Sequence, residues 1–314
     1  MQLISLVGSC RNVMITWLLL IKIYRSDMKP LGYDTHYMNA VTRLQKAEKI
    51  AKKMQCTIYL GFSGGKDSQC LFHLADSLNV QFVAMHFLTT IEPPELVRFI
   101  RDYYPTVQTI RQPLSMGRLI VKKKTLPMRN IRYCCDYYKE LKFPNSVVLT
   151  GIRREESQRR AQRNDFEIGS RNKERRESLS FADLDDGQIE DIVSCIQGKD
   201  QVIINPIIDW SQQDVEYYLK EVLGVPKCEL YKEGFQRMGC ICCPMKGYKE
   251  KAQDVKRYPK YRDMFIRTIH RLRTECNYMS EHPELSDAQI FDWWISSVSL
   301  QKWIADNVTQ GFLF

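Results

Sequence analysis

Tyr59-Leu60-Gly61-Phe62-Ser63-Gly64-Gly65-Lys66-Asp67-Ser68 is the stretch whose reading decides the fold. The apolar run from Cys56 to Phe62 has strand character and stops at a Ser-Gly-Gly turn. From Asp67 to about Leu78, the residues Cys70, Leu71, Leu74, Ala75 and Leu78 recur at helical spacing. Strand, glycine turn and helix together aim backbone N–H groups and the positive helix end at an anion. The two glycines permit close approach, Lys66 adds a point charge, and Ser63 and Ser68 add hydroxyls. The spacing is not that of a Walker A loop, which needs four residues between its glycines and Ser or Thr after the lysine. Here three residues separate Gly61 from Gly65, and Asp67 follows Lys66.

Working outward, the segment His36–Met54 predicts a helix with Met38, Val41, Leu44, Ala47, Ile50 and Ala51 on one apolar stripe. Val80–Leu88 is a near-continuous apolar run, as a buried parallel strand requires. Pro93-Pro94 opens a helix over 95–103, where missing first-turn N–H groups cost nothing. Val107–Ile110 predicts a third strand, Ile131–Leu141 a helix, and Ser146–Thr150 the next strand. Lys122-Lys123-Lys124 before Pro127 reads as a basic loop. Strands alternating with helices predict an α/β fold with a doubly wound, mainly parallel sheet. In such sheets ligands bind beyond the carboxyl ends of strands, so the glycine turn and Gly151-Ile152-Arg153-Arg154 should converge on one crevice.

Residues 164–200 are polar and mixed in charge, and predict a partly mobile insertion. Strand character returns at Val202–Ile204, and Ser211 can cap a helix over 212–223. A loop then leads to Pro244, and beyond Gly247 the sequence predicts a helical tail packed by Trp293, Trp294 and Trp303. The expected organisation is an N-terminal extension over 1–32, an α/β nucleotide-binding domain over 33–226, and a cysteine loop with helical region over 227–314. Val13–Ile21 is apolar but far shorter than the about 20 residues that cross a bilayer. It predicts no membrane span, and Met28 is the expected true start.

The chain has 314 residues, 44% of them apolar and 26% charged, as in a globular protein with a sizeable core. A net charge of +9 favours an anionic partner, whether nucleotide, nucleic acid or acidic protein. Eleven cysteines, an odd number with an adjacent pair and a tight cluster, exclude a small secreted disulfide scaffold. They point to reduced thiols and a cytoplasmic setting. Cys240-Ile241-Cys242-Cys243 holds a C-x-x-C pair between Gly239 and Pro244, a turn that presents two sulfurs to one metal centre. Cys134-Cys135 can supply two more ligands, with Cys228 and Cys242 in reserve. Adjacent cysteines suit two irons of a 4Fe–4S cluster better than one zinc ion, which stays the alternative. The run Gly151–Ala161 sets Arg153, Arg154, Arg159 and Arg160 in one loop, and arginine forks suit phosphate or sulfate oxygens.

These segments together resemble the phosphoadenosine phosphosulfate (PAPS) reductase family of the adenine-nucleotide α-hydrolase superfamily, over about Tyr33 to Lys246. The resemblance is carried by SGGKDS (63–68), TTIEPPELVRFI (89–100), RYCCDYYKELK (132–142), GIRREESQRRA (151–161), INPIIDWSQQDVEYYL (204–219) and, most specifically, LYKEGFQRMGCICCP (230–244). It implies an adenine nucleotide held by Ser63, Gly64, Gly65, Lys66, Asp67, Ser68, Gly151, Arg153, Arg154 and Ser157. Lys66, Asp67, Arg153 and Arg160 are then the expected catalytic groups, with magnesium near Asp67. It also implies a 4Fe–4S cluster on Cys134, Cys135, Cys240 and Cys243.

Sulfonucleotide reductases of the family attack sulfur with a cysteine in a short C-terminal tail. This sequence ends Gln310-Gly311-Phe312-Leu313-Phe314, and Cys276 matches that cysteine poorly. The reading therefore favours ATP-dependent activation and thio-transfer over reduction of PAPS or its relative APS to sulfite. Expected partners are a sulfur donor or reductant protein and a nucleic acid, and a homo-oligomer is a further expectation. Two other classes remain open: a nucleic-acid-modifying component, favoured by the basic residues over 153–176, and a nucleotide or redox sensor without turnover.

Overall fold

The computed structural model describes residues 29–139, 143–170, 176–196 and 200–308. The expected extension and Met28 lie outside the described residues. Helix α1 (Tyr33–Met54) buries Val41, Leu44, Ala47, Ile50 and Ala51 as the stripe requires. Met38 is 57% exposed, because Tyr33, Ala40 and Leu44 define the buried side and Met38 lies off it. Strand β1 (Ile58–Gly61) runs into the Ser-Gly-Gly turn, and α2 (Lys66–Ser77) leaves it. There follow β2 (Val83–Leu88), α3 (Pro94–Tyr103), β3 (Gln108–Arg111), α4 (Met116–Lys123), α5 (Tyr133–Tyr138) and β4 (Ser146–Leu149).

A short helix α6 (Gln158–Ala161) then leads to β5 (Phe166–Gly169), β6 (Glu177–Leu179), α7 (Asp186–Ile196) and β7 (Gln201–Ile204). Ser211 caps α8 (Gln212–Tyr217) through a reciprocal box with Asp214, and the chain continues in a wider turn over Tyr218–Val222. The last helices are α9 (Tyr248–Arg257), α10 (Pro259–Cys276), α11 (Asp287–Ser296) and α12 (Leu300–Asn307). The strands form a seven-stranded sheet in the order β3-β2-β1-β4-β7-β5-β6. β1 pairs β4 in parallel with Ile58 opposite Val147, β4 pairs β7 in parallel, and β2 pairs β3 in parallel. The expected α/β, mainly parallel sheet is the observed one.

Two features depart from the sequence reading. The polar stretch expected as an insertion supplies β5 and β6, both antiparallel, with Phe166 opposite both Ile204 and Leu179. Phe166 and Ile168 are buried and alternate with half-buried Glu167. A strand with only one buried face keeps a polar composition. The supposed Lys122–Lys124 loop is the last turn of α4 and its cap, with Lys124 at φ +56°. Met116, Leu119 and Ile120 bury the other side of that helix. Lysines there face the carbonyl end of the helix, where cations are favoured.

The chain divides into two compact units. Among the described residues, the first comprises those within 29–61, 66–83 and 143–227, and the second those within 62–65, 84–139 and 228–308. In the first, Trp210 and Tyr218 are fully buried against Tyr33, with ring centroids 5.9 Å apart for Tyr33 and Trp210. In the second, Phe265 and Trp294 meet at 5.0 Å, and the indole Nε1 of Trp294 donates to Pro127 O at 2.8 Å. Among the described residues no helix is long and apolar enough to cross a membrane.

Candidate functional site

In the first unit, β4 ends at Leu149 and the chain turns over the start of α2. Gly151 lies so close that a Cβ there would stand 3.0 Å from Asp67 O and 3.3 Å from Ser68 N. Only glycine lets the two backbones touch in this way. Two residues on, Arg153 is buried, and its Nε donates to Asp67 Oδ1 at 2.6 Å. Its Nη1 reaches Glu155 Oε2 at 3.0 Å and Trp210 O at 3.1 Å, and Nη2 reaches Gln212 Oε1 at 3.3 Å. Gly151 and Arg153 therefore both lie against Asp67 at the start of α2.

Three further candidate cations of this unit also stand beside carboxylates. Arg154 pairs with Asp209, Arg160 with Glu156, and Lys66 Nζ stands 3.8 Å from Glu216 Oε1. Ser157 caps α6, its Oγ accepting from Arg160 N at 3.3 Å. Burial pushes the Asp67 carboxyl above its usual range, and the Arg153 charge works against that shift. An anion entering here meets cations already paired. Binding would redirect these pairs rather than neutralise idle charges.

The second unit carries the turn and the cysteines. Gly64 has φ +72°, and a Cβ on it would fall 2.7 Å from Leu96 Cδ1 and 2.8 Å from Ile100 Cγ1. Gly65 N donates to Ser63 Oγ at 3.4 Å. At the base of the turn, His86 Nδ1 lies 3.1 Å from Phe62 O, so the carbonyl assigns the ring proton to Nδ1. His86 is buried, its Nε2 has no hydrogen-bond partner among the described residues, and burial pushes its pKa below the usual histidine range.

Cys134 and Cys135 on α5 and Cys240 and Cys243 of the late loop line one recess of about 430 Å3. Phe265 and Trp294 contribute apolar wall. The loop is built by its backbone: Ile241 N donates to Ile91 O at 2.7 Å and Cys243 N to Cys240 O at 3.4 Å. Cys242 takes φ +54°, and its N–H donates to Asp254 Oδ2 at 2.7 Å. Asp254 is fully buried and is held by Lys246 Nζ at 2.8 and 2.9 Å. Thr89 Oγ1 lies 3.3 Å from Cys240 Sγ, and Arg132 Nη2 donates to Cys135 Sγ at 3.3 Å.

The adjacent thiols shift one another in opposite directions. The hydrogen bond from Cys134 pushes the Cys135 thiol down to about 5, with Arg132 helping, and the same bond pushes Cys134 up. Burial pushes Cys243 up, and Cys242 up to about 12. The Cys240 thiolate charge raises the Lys139 ammonium, which lines the same recess.

The four cysteines line the same recess, although more than a hundred residues separate the two pairs. The reserve candidates divide. Cys242 also lines the recess, whereas Cys228 is buried elsewhere in the unit. Among the described residues no three or more His, Cys, Asp or Glu side chains are arranged to hold a metal ion. Sequence reasoning missed Thr89, Arg132, Asp254 and Lys246. Thr89 was findable, since it directly follows β2 at a strand's carboxyl end. Asp254 carried no signal, because only the loop's return to α9 makes it a partner.

A family model for the phosphoadenosine phosphosulfate reductase domain matches residues 57–246. An uncharacterized protein of Methanocaldococcus jannaschii is 25% identical over 242 residues, covering 73% of this chain and 51% of its own length. A second from the same organism is 27% identical over 244 residues, 72% of this chain and 44% of its own length. The chain spans about half the length of these relatives. Among solved structures, a phosphoadenylyl-sulfate (PAPS) reductase from Candida auris, a phosphate complex, is similar with a TM-score of 0.38 and 18% identity. That match covers 59% of this chain and 81% of the reductase. The U34-tRNA thiolase NcsA from Methanococcus maripaludis, with its [4Fe-4S] cluster, matches with a TM-score of 0.33 and 12% identity, covering 83% of this chain and 82% of that one.

Proposed function

Because the chain belongs to the phosphoadenosine phosphosulfate reductase domain family, we propose that it is an adenine-nucleotide enzyme of sulfur chemistry. In this reading it activates an acceptor oxygen with ATP, releases pyrophosphate, and lets a sulfur nucleophile displace AMP. The observation that carries the reading is the meeting of Cys134, Cys135, Cys240 and Cys243 in one recess. These four would hold a 4Fe–4S cluster, which supplies Lewis-acid or electron-transfer capacity toward sulfur when bound. Thr89 and Arg132 orient Cys240 and Cys135, as outer partners do for metal-binding sulfurs.

The nucleotide's phosphates would lie against the Gly64 and Gly65 amides and Lys66. Arg153 would exchange Asp67 for a phosphate oxygen, freeing Asp67 for the nucleotide's magnesium. Arg154, Arg160 and Ser157 would line the same phosphate end. Charge developing on the leaving pyrophosphate would be stabilised electrostatically.

The test is anaerobic purification followed by iron and sulfide analysis, with two turnover assays on the same preparation. About four irons per chain, lost on Cys240→Ala or Cys243→Ala, is the expected result. Pyrophosphate release from ATP supports the activation step. Sulfite release from PAPS without pyrophosphate release from ATP would overturn it, and zinc in place of iron would overturn the cluster.

A further inference from the structure

The chain's positive charge is unevenly placed. The second unit carries 24 Lys and Arg against 16 Asp and Glu, so eight of the nine net charges lie in it. Within it, α4 and α10 pack side by side. A Cβ on Gly117 would stand 3.0 Å from Thr268 Oγ1 and 3.7 Å from Met264 Sδ, and further along Cys276 Sγ approaches Val121 O at 3.7 Å. Contacts advance along both helices together, so the two run in the same direction.

In parallel helices, positions one residue after the contact line on one helix share a side with those one residue before it on the other. Arg118 and Lys122 on α4 therefore share a side with Arg267 and Arg271 on α10. Burial agrees with this geometry. Met116, Leu119 and Ile120 on α4, and Phe265, Ile269 and Leu272 on α10, turn to the core. The opposite, exposed side carries Arg118, Lys122, Lys260, Arg267 and Arg271. Helix α4 has no acidic residue. On α10 the exposed acids are Asp263 and Glu275, and Glu275 is engaged by Arg271 at 2.7 Å. Among the described residues, Arg118, Lys122, Lys260 and Arg267 have no carboxylate within ion-pair distance.

We propose that this α4–α10 face docks the phosphodiester backbone of a nucleic acid, which is the acceptor of the sulfur chemistry. The proposal rests on the function above. One observation joins the face to the recess. Met116 and Phe265, inward residues of the same two helices, line the cysteine recess. A polyanion held on the outer side therefore lies one helix layer from the sulfurs. The exposed cations also repeat at one-turn spacing, with Arg118 and Lys122 on one helix and Arg267 and Arg271 on the other. That spacing suits successive phosphates rather than a single small anion.

The test uses the anaerobically purified full chain and fluorescence anisotropy with labelled tRNA and labelled duplex DNA across a salt series. Arg118→Glu/Lys122→Glu should weaken binding about tenfold or more and reduce the log–log salt slope by about two. Lys49→Glu/Lys52→Glu on exposed α1 should leave both unchanged. Preference for tRNA or for duplex DNA names the acceptor class, and either supports the face. Absent or salt-insensitive binding of both overturns it, as does equal weakening by the α1 pair. Competition by polyglutamate as strong as that by unlabelled nucleic acid overturns the phosphodiester assignment. Iron content and pyrophosphate release are followed in the same preparations. Binding lost with both intact refutes the face alone, whereas binding intact without iron or turnover refutes the proposed function alone.

Discussion

Gly64→Ala and Gly234→Ala form a matched pair that measures how tightly the glycine turn is packed. Both glycines belong to the second unit and have left-handed backbones, with φ +72° and +87°. Their surroundings differ. A Cβ on Gly64 meets Leu96 Cδ1 at 2.7 Å and Ile100 Cγ1 and Cδ1 at 2.8 and 2.9 Å, while a Cβ on Gly234 meets nothing within 4 Å. The left-handed backbone costs an L-residue about 1–2 kcal/mol. The lost freedom of the unfolded chain returns about 0.4–1 kcal/mol. Gly234→Ala should therefore destabilise by about 0.5–1 kcal/mol. At Gly64 the added methyl must also displace Leu96 and Ile100, both buried on α3, and overpacking costs a further about 1–3 kcal/mol. Urea unfolding of both variants beside the parent protein reads the difference. Gly64→Ala should be the worse by about 1–3 kcal/mol. Equal destabilisation would show that α3 yields to the methyl at no cost, and that Gly64 is needed for its dihedral angles alone.

Lys246→Met leaves the Asp254 carboxylate buried beside Cys242 N with its cation gone, and should cost about 3–5 kcal/mol. Adding Asp254→Asn should recover part of that loss, and a denaturation cycle in which the two changes simply add would refute the pairing. His86 supplies a pH test. Burial pushes its pKa down, against smaller opposing effects of the Phe62 carbonyl and Glu92, and Lys139 adds least to the depression. The unfolded chain therefore takes the proton first, and stability falls as pH drops below about 6.5 toward the folded value. His86→Gln should flatten that acid-side loss in urea unfolding, and an unchanged slope would assign the loss to other groups.

Much of this architecture was legible because it depends on local pattern. The strand from Ile58, the helix from Lys66 and the Ser211 cap follow from apolar spacing and capping chemistry, which act over a few residues. The grouping of the cysteines has a different basis in the sequence. Adjacent and C-x-x-C thiols are rare enough that their type and spacing limited what could join them. The antiparallel strands β5 and β6 were hidden because such strands can leave one face to water, so their composition resembles a loop. Helix α4 was hidden because its run of lysines outweighed Met116, Leu119 and Ile120, which show their common side only when packed against α10.

The arginine loop marks where reading by residue type stops. In the sequence Arg153, Arg154, Arg159 and Arg160 are equivalent forks in one run. In the fold they are not: Arg153 is 3% exposed and meets four acceptors on three segments, whereas Arg154 and Arg160 each hold a carboxylate at a partly exposed position. What separates them is the approach of Gly151 to the backbone of Asp67, which carries the residue two positions on under the start of α2. A long-range backbone contact thus assigns the electrostatic role, and no property of the arginine itself encodes it. The same logic applies to Cys242, which looks like a third ligand by type. It carries the left-handed residue of the turn, with its N–H committed to Asp254 twelve residues later. Its place in the loop is fixed by its backbone, whatever its thiol does.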